Sequence, residues 1–307
     1  MKKYFFFLLV IFLLQGCEDT SEIITIPDII FKKLLVSKYD NNNDNEISVK
    51  EASKVRELDI SGTPFKNNEV TSLEGIEHFI KLKVLNCSYN RLITIDISKN
   101  VKLTHLLCSD NTLTSIDVRN NIKLIKLACS RNIIPELDVS KNVSLETLFC
   151  YINQLNEIDI TNNKKLIYLS CSNNQISELD LSKNLRLSKL FCTDNKLTKL
   201  DVSNNKKLEK LFCYSNTLTV LDVTNNPDLT ALDCHGNQLS EIDISKNIEL
   251  LELSCSNTKI TQLDVSNNPK INRLLCRNNP ELKTIIMKEG QDIKEFGKIL
   301  ELEVVYR

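Results

Sequence analysis

One interval, 21 residues, recurs along most of this chain and constrains its fold more than any other feature. It is marked by ten cysteines: Cys87, Cys108, Cys129, Cys150, Cys171, Cys192, Cys213, Cys234, Cys255 and Cys276. Leucines keep the same step from Leu85 to Leu274, and asparagines keep it from Asn90 to Asn279 with one exception at Thr258. A unit this short cannot bury its own apolar side, so consecutive units must stack and share a core.

Within each unit the first half alternates between inward apolar residues and outward residues, since a single residue separates Leu85 from Cys87. A period of two indicates a strand with one buried side. Asn90 is suited to the turn that follows, because asparagine tolerates the left-handed region and its amide can satisfy backbone groups. Gly236 is the only glycine between residues 82 and 287, so asparagines must make nearly all the turns. The second half, as at residues 95–98, alternates as well and predicts extended or short 3-10 segments.

The consensus L-x-x-L-x-C-x-x-N-x-L-x-x-L-D-V-S-x-N-x-x resembles the leucine-rich-repeat family, with cysteine in place of the third leucine. The resemblance implies a solenoid of parallel β strands. The repeat is also similar to internalin-type proteins, which bind host or neighbouring cell surfaces. Strands stack about 4.8 Å apart, whereas packed helices need about 8–10 Å, so a convex side without helices predicts a weakly curved array.

The sequence predicts five regions along the chain. They are a lipoprotein signal peptide and anchor over 1–17, a linker over 18–27, a helix-loop-helix cap over 28–57, the repeats over 58–288 and a C-terminal cap over 289–307. The repeats begin with a divergent coil and continue with ten 21-residue copies. Residues 293–302 are expected to be partly helical.

Residues 40–51, DNNNDNEISVKE, resemble an EF-hand loop. The six ligand positions of such a loop fall on Asp40, Asn42, Asp44, Glu46 (through its backbone), Ser48 and Glu51. The sixth place departs from the family, since Asn45 replaces glycine and must take the left-handed turn. Thr25 with Asp28, and Ser48 with Glu51, are spaced as capping boxes for the flanking helices. The resemblance implies one structural Ca²⁺ that rigidifies the cap; a polar linker is the alternative.

Two other rows of residues have simpler interpretations. The cysteines occupy inward positions one strand spacing apart, which is too far for disulfides, so we interpret them as small buried hydrophobic residues. An aspartate also recurs, from Asp96 to Asp264, and is followed two residues later by Ser, Thr or Arg119. Hydrogen bonds that cap a turn explain this row most simply, and a row of calcium ions is the alternative.

Every aromatic residue between 82 and 287 falls in the strand half of a unit. These residues are Tyr89, Phe149, Tyr151, Tyr168, Phe191, Phe212 and Tyr214. All except Tyr89 lie on coils four to seven, edged by Lys189 and Lys210, and such outward rings resemble the anchors of binding surfaces. The alternative is that aromatic residues simply suit strands and shield the sheet.

These features favour a non-enzymatic, adhesion-type binding protein with a protein or glycan partner. The alternative is a structural, self-associating surface protein with a calcium-stabilised solenoid. His105 and His235 lie about six coils apart, so they cannot share a catalytic site. The charge is balanced, with 39 Lys and Arg against 40 Asp and Glu, and no basic run is dense enough to indicate a nucleic-acid partner.

The first 17 residues, MKKYFFFLLVIFLLQGC, have the order of an export signal. Two lysines precede an apolar stretch that is too short to span a bilayer permanently. Residues 14–17, LQGC, resemble the lipobox of bacterial lipoproteins, which implies cleavage before Cys17 and a lipid on that residue. Glu18 and Asp19 follow directly. In some lineages, acidic residues just after the lipidated cysteine accompany export to the outer surface. We therefore expect an extracytoplasmic protein held to the membrane by its lipid alone.

Cys17→Ala should abolish incorporation of labelled palmitate and release or mislocalise the protein, because it removes the residue that would carry the lipid. Metabolic labelling followed by fractionation of the cells tests this. Palmitate incorporation equal to that of the unsubstituted protein would contradict the anchor.

Overall fold

The computed structural model describes residues 22–63, 65, 69–297 and 303–307. The export signal and Cys17 lie outside the described residues. Within these ranges the chain forms a helical cap followed by a parallel β solenoid.

Short strands separated by turns make up most of the described chain. Helix α1 (Ile29–Tyr39) and helix α2 (Val49–Ala52) form the cap, and a 3-10 turn at Ile76–His78 follows in the first coil. The strands are β1 (Glu57–Asp59), β2 (Val84–Asn86), β3 (His105–Leu107), β4 (Lys126–Ala128), β5 (Thr147–Phe149), β6 (Tyr168–Ser170), β7 (Lys189–Phe191), β8 (Lys210–Phe212), β9 (Ala231–Asp233), β10 (Glu252–Ser254), β11 (Gln262–Asp264), β12 (Arg273–Leu275), β13 (Thr284–Met287), β14 (Glu295–Gly297) and β15 (Glu303–Tyr306).

One parallel sheet of twelve strands runs along the solenoid, in the order β1 to β10, then β12 and β14. The register is constant through the repeats: Leu148 pairs with Leu169, and Leu169 pairs with Leu190. Strands β11, β13 and β15 form a second parallel sheet in the other half of the last coils. The expected solenoid of stacked 21-residue coils, with strands on one side and few helices, is confirmed.

The core is a stack of identical layers. In the first full repeat Leu85 on β2 and Cys87 directly after it pack with Leu92 and Ile97 from the second half, and all four are buried. The ten repeat cysteines are buried and none forms a disulfide. Burial raises the pKa of the Cys87 thiol to about 12, so the thiol stays neutral. The interpretation of this row as small hydrophobic residues agrees with the structure.

The left-handed turn falls one residue earlier than the sequence suggested. The residue before each turn asparagine has a positive φ, and this residue is Tyr89 at 57°, Arg131 at 56° and Ile152 at 53° in three of the coils. The asparagines themselves lie outside the left-handed region. Their amides instead bond to backbone carbonyl oxygens, as Asn90 does to Ile60 and Cys87. The expectation that Asn90 itself adopts the left-handed conformation was therefore wrong, whereas its expected role in satisfying backbone groups is correct.

Each turn asparagine ties two coils together. The Asn216 amide nitrogen donates to the carbonyl oxygens of Cys192 in the preceding coil and Cys213 in its own coil, both at 3.0 Å. It also donates to Tyr214 at 3.2 Å, and its oxygen accepts the backbone N–H of Leu197 at 3.0 Å. One buried side chain thus satisfies four backbone groups that would otherwise be isolated from water.

A second row of asparagines holds the other side of each coil. Asn205 is fully buried and donates to the carbonyl oxygens of Leu181 at 3.3 Å and Asn184 at 2.9 Å. Its own side-chain oxygen has no hydrogen-bond partner, and the same holds for the other members of the row: Asn100, Asn121, Asn142, Asn163, Asn184, Asn226, Asn247 and Asn268. The donated bonds therefore have to offset the cost of a buried, unpaired acceptor in every coil.

The two ends of the solenoid are closed differently. At the N-terminus, one Asp28 oxygen caps α1 by accepting from Ile30 and Phe31, and the other accepts from the backbone and hydroxyl of Thr71 in the first coil. At the C-terminus, residues 293–302 were expected to be partly helical. The described part of that segment instead contains β14, whose Phe296 pairs with Leu274 and extends the main sheet. The pairing edge of β12 prevails over the local helical pattern.

Asn216→Ala should lower the free energy of unfolding by about 2–5 kcal/mol, because several buried backbone groups lose their only side-chain partner. The matched control is Asn204→Ala, since Asn204 is exposed, and its effect should stay within about 0.5 kcal/mol. Urea unfolding followed by circular dichroism measures both. Equal effects of the two substitutions would contradict the role assigned to the turn asparagines.

Candidate binding surface and calcium loop

The outward side of the twelve-stranded sheet (the sheet face) carries the aromatic residues selected from the sequence. Four of them make one continuous row, the aromatic surface, which consists of Phe149, Tyr168, Phe191 and Phe212. The ring centroids of Phe149 and Tyr168 are 4.7 Å apart, those of Tyr168 and Phe191 are 5.2 Å apart, and those of Phe191 and Phe212 are 4.7 Å apart. The structure therefore brings the central members of the predicted site into direct contact.

Strand register explains why the row is unbroken. The paired positions on β5, β6 and β7 hold Phe149, Ser170 and Phe191, so a small residue separates two large ones. Tyr168 lies two residues before Ser170 on the same face, and its ring fills the space between the two phenylalanines at angles of 77° and 80°. Edge-to-face contacts of this kind are favourable beyond the area that they bury.

The rings are half-buried rather than fully exposed, because they cover one another. Because the rings bury one another, they contribute to stability as well as to the outward surface. Burial raises the pKa of the Tyr168 hydroxyl, with a smaller contribution from Tyr151. The idea that the rings shield the sheet is compatible with this packing, so the role of the row in binding remains a prediction.

Lysines lie over two of the rings. The Lys126 ammonium lies 5.6 Å from the centroid of Phe149, and the Lys189 ammonium lies 5.7 Å from that of Tyr168. Both distances suit a cation–π interaction. Lys210 is exposed beside Phe212 on β8. Lys126 was missed from the sequence because its coil has no aromatic residue; only its register with Thr147 places it beside Phe149.

The remaining predicted residues separate from the row. Tyr214 stacks on His235, with centroids 4.4 Å apart and planes 13° apart. His235 in turn contacts Asp233 through Nδ1 at 2.7 Å. Tyr151 lies toward the turn side, where it lines an open groove with Tyr89 and residues of the first coils. His235 could have been found by noting that it takes the place of Tyr214 in the following repeat.

The loop at 40–51 folds around its own carboxylates. Asp40 accepts the backbone N–H of Asn43 at 2.7 Å and that of Asn45 at 2.9 Å. Asn45 has a φ of 63°, as expected for the sixth place. Asp44 accepts the N–H of Glu46 at 2.8 Å and also the amide of Asn42 at 2.7 Å. These bonds draw the first, third and fifth places of the loop together.

Glu51, at the twelfth place, closes the loop. Its oxygens accept the backbone N–H of Asn41 at 2.7 Å and that of Ser48 at 2.9 Å, which completes the predicted Ser48–Glu51 capping box. Burial acts to raise the pKa of Glu51, but these hydrogen bonds outweigh it and the net pKa is lowered, so the carboxylate stays charged. At α1 the cap is Asp28 rather than the predicted Thr25–Asp28 box.

The loop at 40–51 pairs with the segment before α1 rather than with a second loop of its own kind. Ile47 is fully buried, and its carbonyl oxygen accepts the N–H of Ile24 at 2.8 Å. Ile23 and Ser48 form an antiparallel bridge, and the N–H of Val49 donates to the carbonyl oxygen of Glu22 at 2.8 Å. The segment that precedes α1 therefore supplies the backbone partner for the loop.

The loop's donor set, carboxylate and amide oxygens without sulfur or imidazole, is the set that Ca²⁺ prefers. As the side chains stand, however, no three His, Cys, Asp or Glu residues within the described ranges are arranged to hold a metal ion. The physical reason is that the carboxylates of Asp40, Asp44 and Glu51 are directed at loop amides. Calcium at Asp40, Asn42, Asp44, Glu46, Ser48 and Glu51 therefore stays a proposal.

The aspartate row caps turns, as the sequence interpretation held. Asp201 accepts the backbone N–H of Ser203 at 2.9 Å. The same bond, from the backbone N–H two residues later, recurs in each of the remaining coils from Asp96 to Asp264. Hydrogen bonds from the Ser203 side chain and backbone lower the pKa of Asp201. The repulsion expected between neighbouring carboxylates is therefore outweighed locally.

Within the described residues, no helix has the length and apolar character needed to cross a membrane.

Comparison with known proteins identifies the fold. No protein-family model and no curated protein matches the chain. Among solved structures, it is similar to the functional domain of InlJ from Listeria monocytogenes, which includes a cysteine ladder, with 29% identity, a TM-score of 0.74, and coverage of 94% of this chain and 72% of that chain. An internalin of the same organism, InlF, has 22% identity and a TM-score of 0.68 over 91% of this chain and 95% of that one.

A leucine-rich-repeat protein of Leptospira interrogans is also similar, with 23% identity and a TM-score of 0.68 over 78% of this chain and 68% of that chain. The structural neighbours are thus internalin-like leucine-rich-repeat proteins, and this chain has their fold. The predicted leucine-rich-repeat architecture is confirmed.

Calcium should raise the melting temperature of the protein through mass action on the folded cap, by the equivalent of about 2.7 kcal/mol at a hundredfold excess over the dissociation constant. Asp40→Ala with Glu51→Ala should remove this shift even though the variant itself melts lower. The matched control is Asp138→Ala with Asp159→Ala in the aspartate row, which should keep the shift. Scanning calorimetry with calcium and with chelator gives the answer, and a shift lost only in the control would assign the ion to the aspartate row.

Proposed function

We propose that this protein is a non-enzymatic binding or adhesion protein that presents its sheet face to a protein or glycan partner outside the cell. The observation that carries the proposal is the aromatic surface. Four large rings lie in contact along one face, flanked by lysines, and are only half-buried. Large aromatic rings at the centre of a surface are typical anchors of protein interfaces.

The fold supports the same role. Proteins with this fold are typically binding or adhesion proteins. A solenoid offers an extended surface whose shape is independent of the side chains that it displays, so binding specificity can be written on the outward positions alone. The described histidines also favour binding over catalysis, since His105 on β3 and His235 after β9 are separated by six strands.

The two ends serve this surface in the proposal. Calcium in the loop at 40–51 would hold the cap rigid against the first coil, since Asp28 already bonds to Thr71 across that junction. A lipid on Cys17 would tether the mature chain outside the cytoplasm, at the outer membrane or cell surface, and the lipid would be its only membrane contact.

Phe191→Ser with Phe212→Ser should abolish binding to cells or matrix that retain the unsubstituted protein. The pair removes a stack of half-buried rings, so we expect a loss of about 1–3 kcal/mol of stability per ring, while the inward leucines and cysteines keep the coils folded. The matched control is Leu185→Ser with Val220→Ser, which removes exposed apolar side chains elsewhere, at 56% and 70% exposure. Pull-down and glycan-array binding measure the effect. Undiminished binding by the Phe191 and Phe212 variant would move the site to the caps or the aspartate row.

A further inference from the structure

Two neighbouring rings of the aromatic surface, Phe191 and Phe212, stand across the sheet rather than lying flat on it. Phe191 and Phe212 occupy facing positions on neighbouring strands, with centroids 4.7 Å apart and planes 10° apart. Two rings lying side by side in the plane of the sheet would overlap at this distance, because the strands themselves are only about 4.8 Å apart. The two rings are therefore stacked face to face along the solenoid, and their edges point outward.

One face of every ring in the row is already occupied. Phe191 and Phe212 cover each other, Lys126 lies over Phe149 and Lys189 lies over Tyr168. A sugar ring stacks on an open aromatic face, and a cationic partner is drawn to the same negative face. Both kinds of contact are therefore restricted to the ring faces that these neighbours leave open. The packing thus reduces the ring area on which a saccharide or a cationic partner could stack.

At Phe191 and Phe212, what remains outward is apolar and positively polarised. The edge of an aromatic ring carries the positive part of its quadrupole. Lys126, Lys189 and Lys210 add full charges beside the row, and among the described residues none of the three forms an ion pair with a carboxylate. These cations are available to a carboxylate from outside without breaking an existing pair.

The charge of the sheet face changes sign beyond β8. The outward positions that follow include Asp233 on β9, Glu252 on β10 and Glu295 on β14. Arg273 lies between the last two, 2.9 Å from Glu295 and 3.7 Å from Glu252, and is the cation that balances them. A partner that carries acidic groups is therefore attracted to the lysine end and repelled from the far end, which sets its position along the array.

We propose that the aromatic surface recognises an acidic protein segment, with apolar side chains against the ring edges and carboxylates on Lys126, Lys189 and Lys210. This deepens the proposed function, on which it rests, by naming the chemistry of the partner. The reduced area of open ring face favours a protein segment over a stacked saccharide, and the unpaired lysines favour an acidic protein over a neutral one.

Selection from a random peptide library displayed on phage, against the purified protein, tests the proposal. Selected peptides should contain more Asp and Glu than Lys and Arg, together with at least one large apolar residue. Lys189→Glu with Lys210→Glu should weaken binding of the synthesised peptides by roughly tenfold or more, since it places like charges together. Added salt should weaken the same peptides. The matched control is Lys164→Glu with Lys206→Glu, an equal charge change at exposed lysines outside the sheet face, which should leave binding unchanged.

The possible results distinguish a failure of the acidic partner from a failure of the aromatic surface as a binding site. Peptides without acidic enrichment, or binding insensitive to the Lys189 and Lys210 reversal but abolished by Phe191→Ser with Phe212→Ser, would overturn the acidic partner and keep the surface as a binding site. Ring-dependent binding to a glycan array would do the same. If no peptide or glycan depends on Phe191 and Phe212, the proposed function of the surface fails together with the inference.

Discussion

Hydrogen bonds from one coil to the next are the interaction on which everything else in this molecule depends. No coil has a core of its own, so a coil is stable only when its neighbour holds it in register. Strand pairing provides that register on one side, and buried amides such as those of Asn205 and Asn216 provide it at the turns. The spacing of the aromatic surface follows, since the Phe191 and Phe212 rings are as far apart as their strands.

Features set by a repeated or local pattern were predictable from the sequence. The interval of 21 residues predicted the solenoid because stacking is the only way in which so short a unit can bury its leucines. The bond from Ser48 to Glu51 was predictable for a different reason: both partners lie within one helical turn, where spacing alone determines geometry. Asn45 follows the same logic, since the loop around it requires a left-handed residue at that place.

Features set by contacts between coils were predictable only in part. The sequence located the rings but not their mutual burial, which depends on Ser170 leaving a gap that Tyr168 fills. It also missed Lys126, whose position over Phe149 results from register between two strands. Residues 293–297, the described part of a segment expected to be partly helical, include strand β14 because the open edge of β12 offers hydrogen bonds that a local helical pattern does not anticipate. In each case the deciding partner lies on a neighbouring coil, 19 or more residues away, outside the reach of local periodicity.

The constant register has an evolutionary consequence. A duplication or loss of one complete unit keeps the leucine, cysteine and asparagine rows in step, whereas the gain of a single residue inside a coil would displace all of them at once. Unequal recombination between repeats of the gene can therefore lengthen or shorten the protein without creating an interface that did not exist before. The reach of the molecule is free to change in increments of one strand spacing, about 4.8 Å, while its two ends and its mode of packing stay the same.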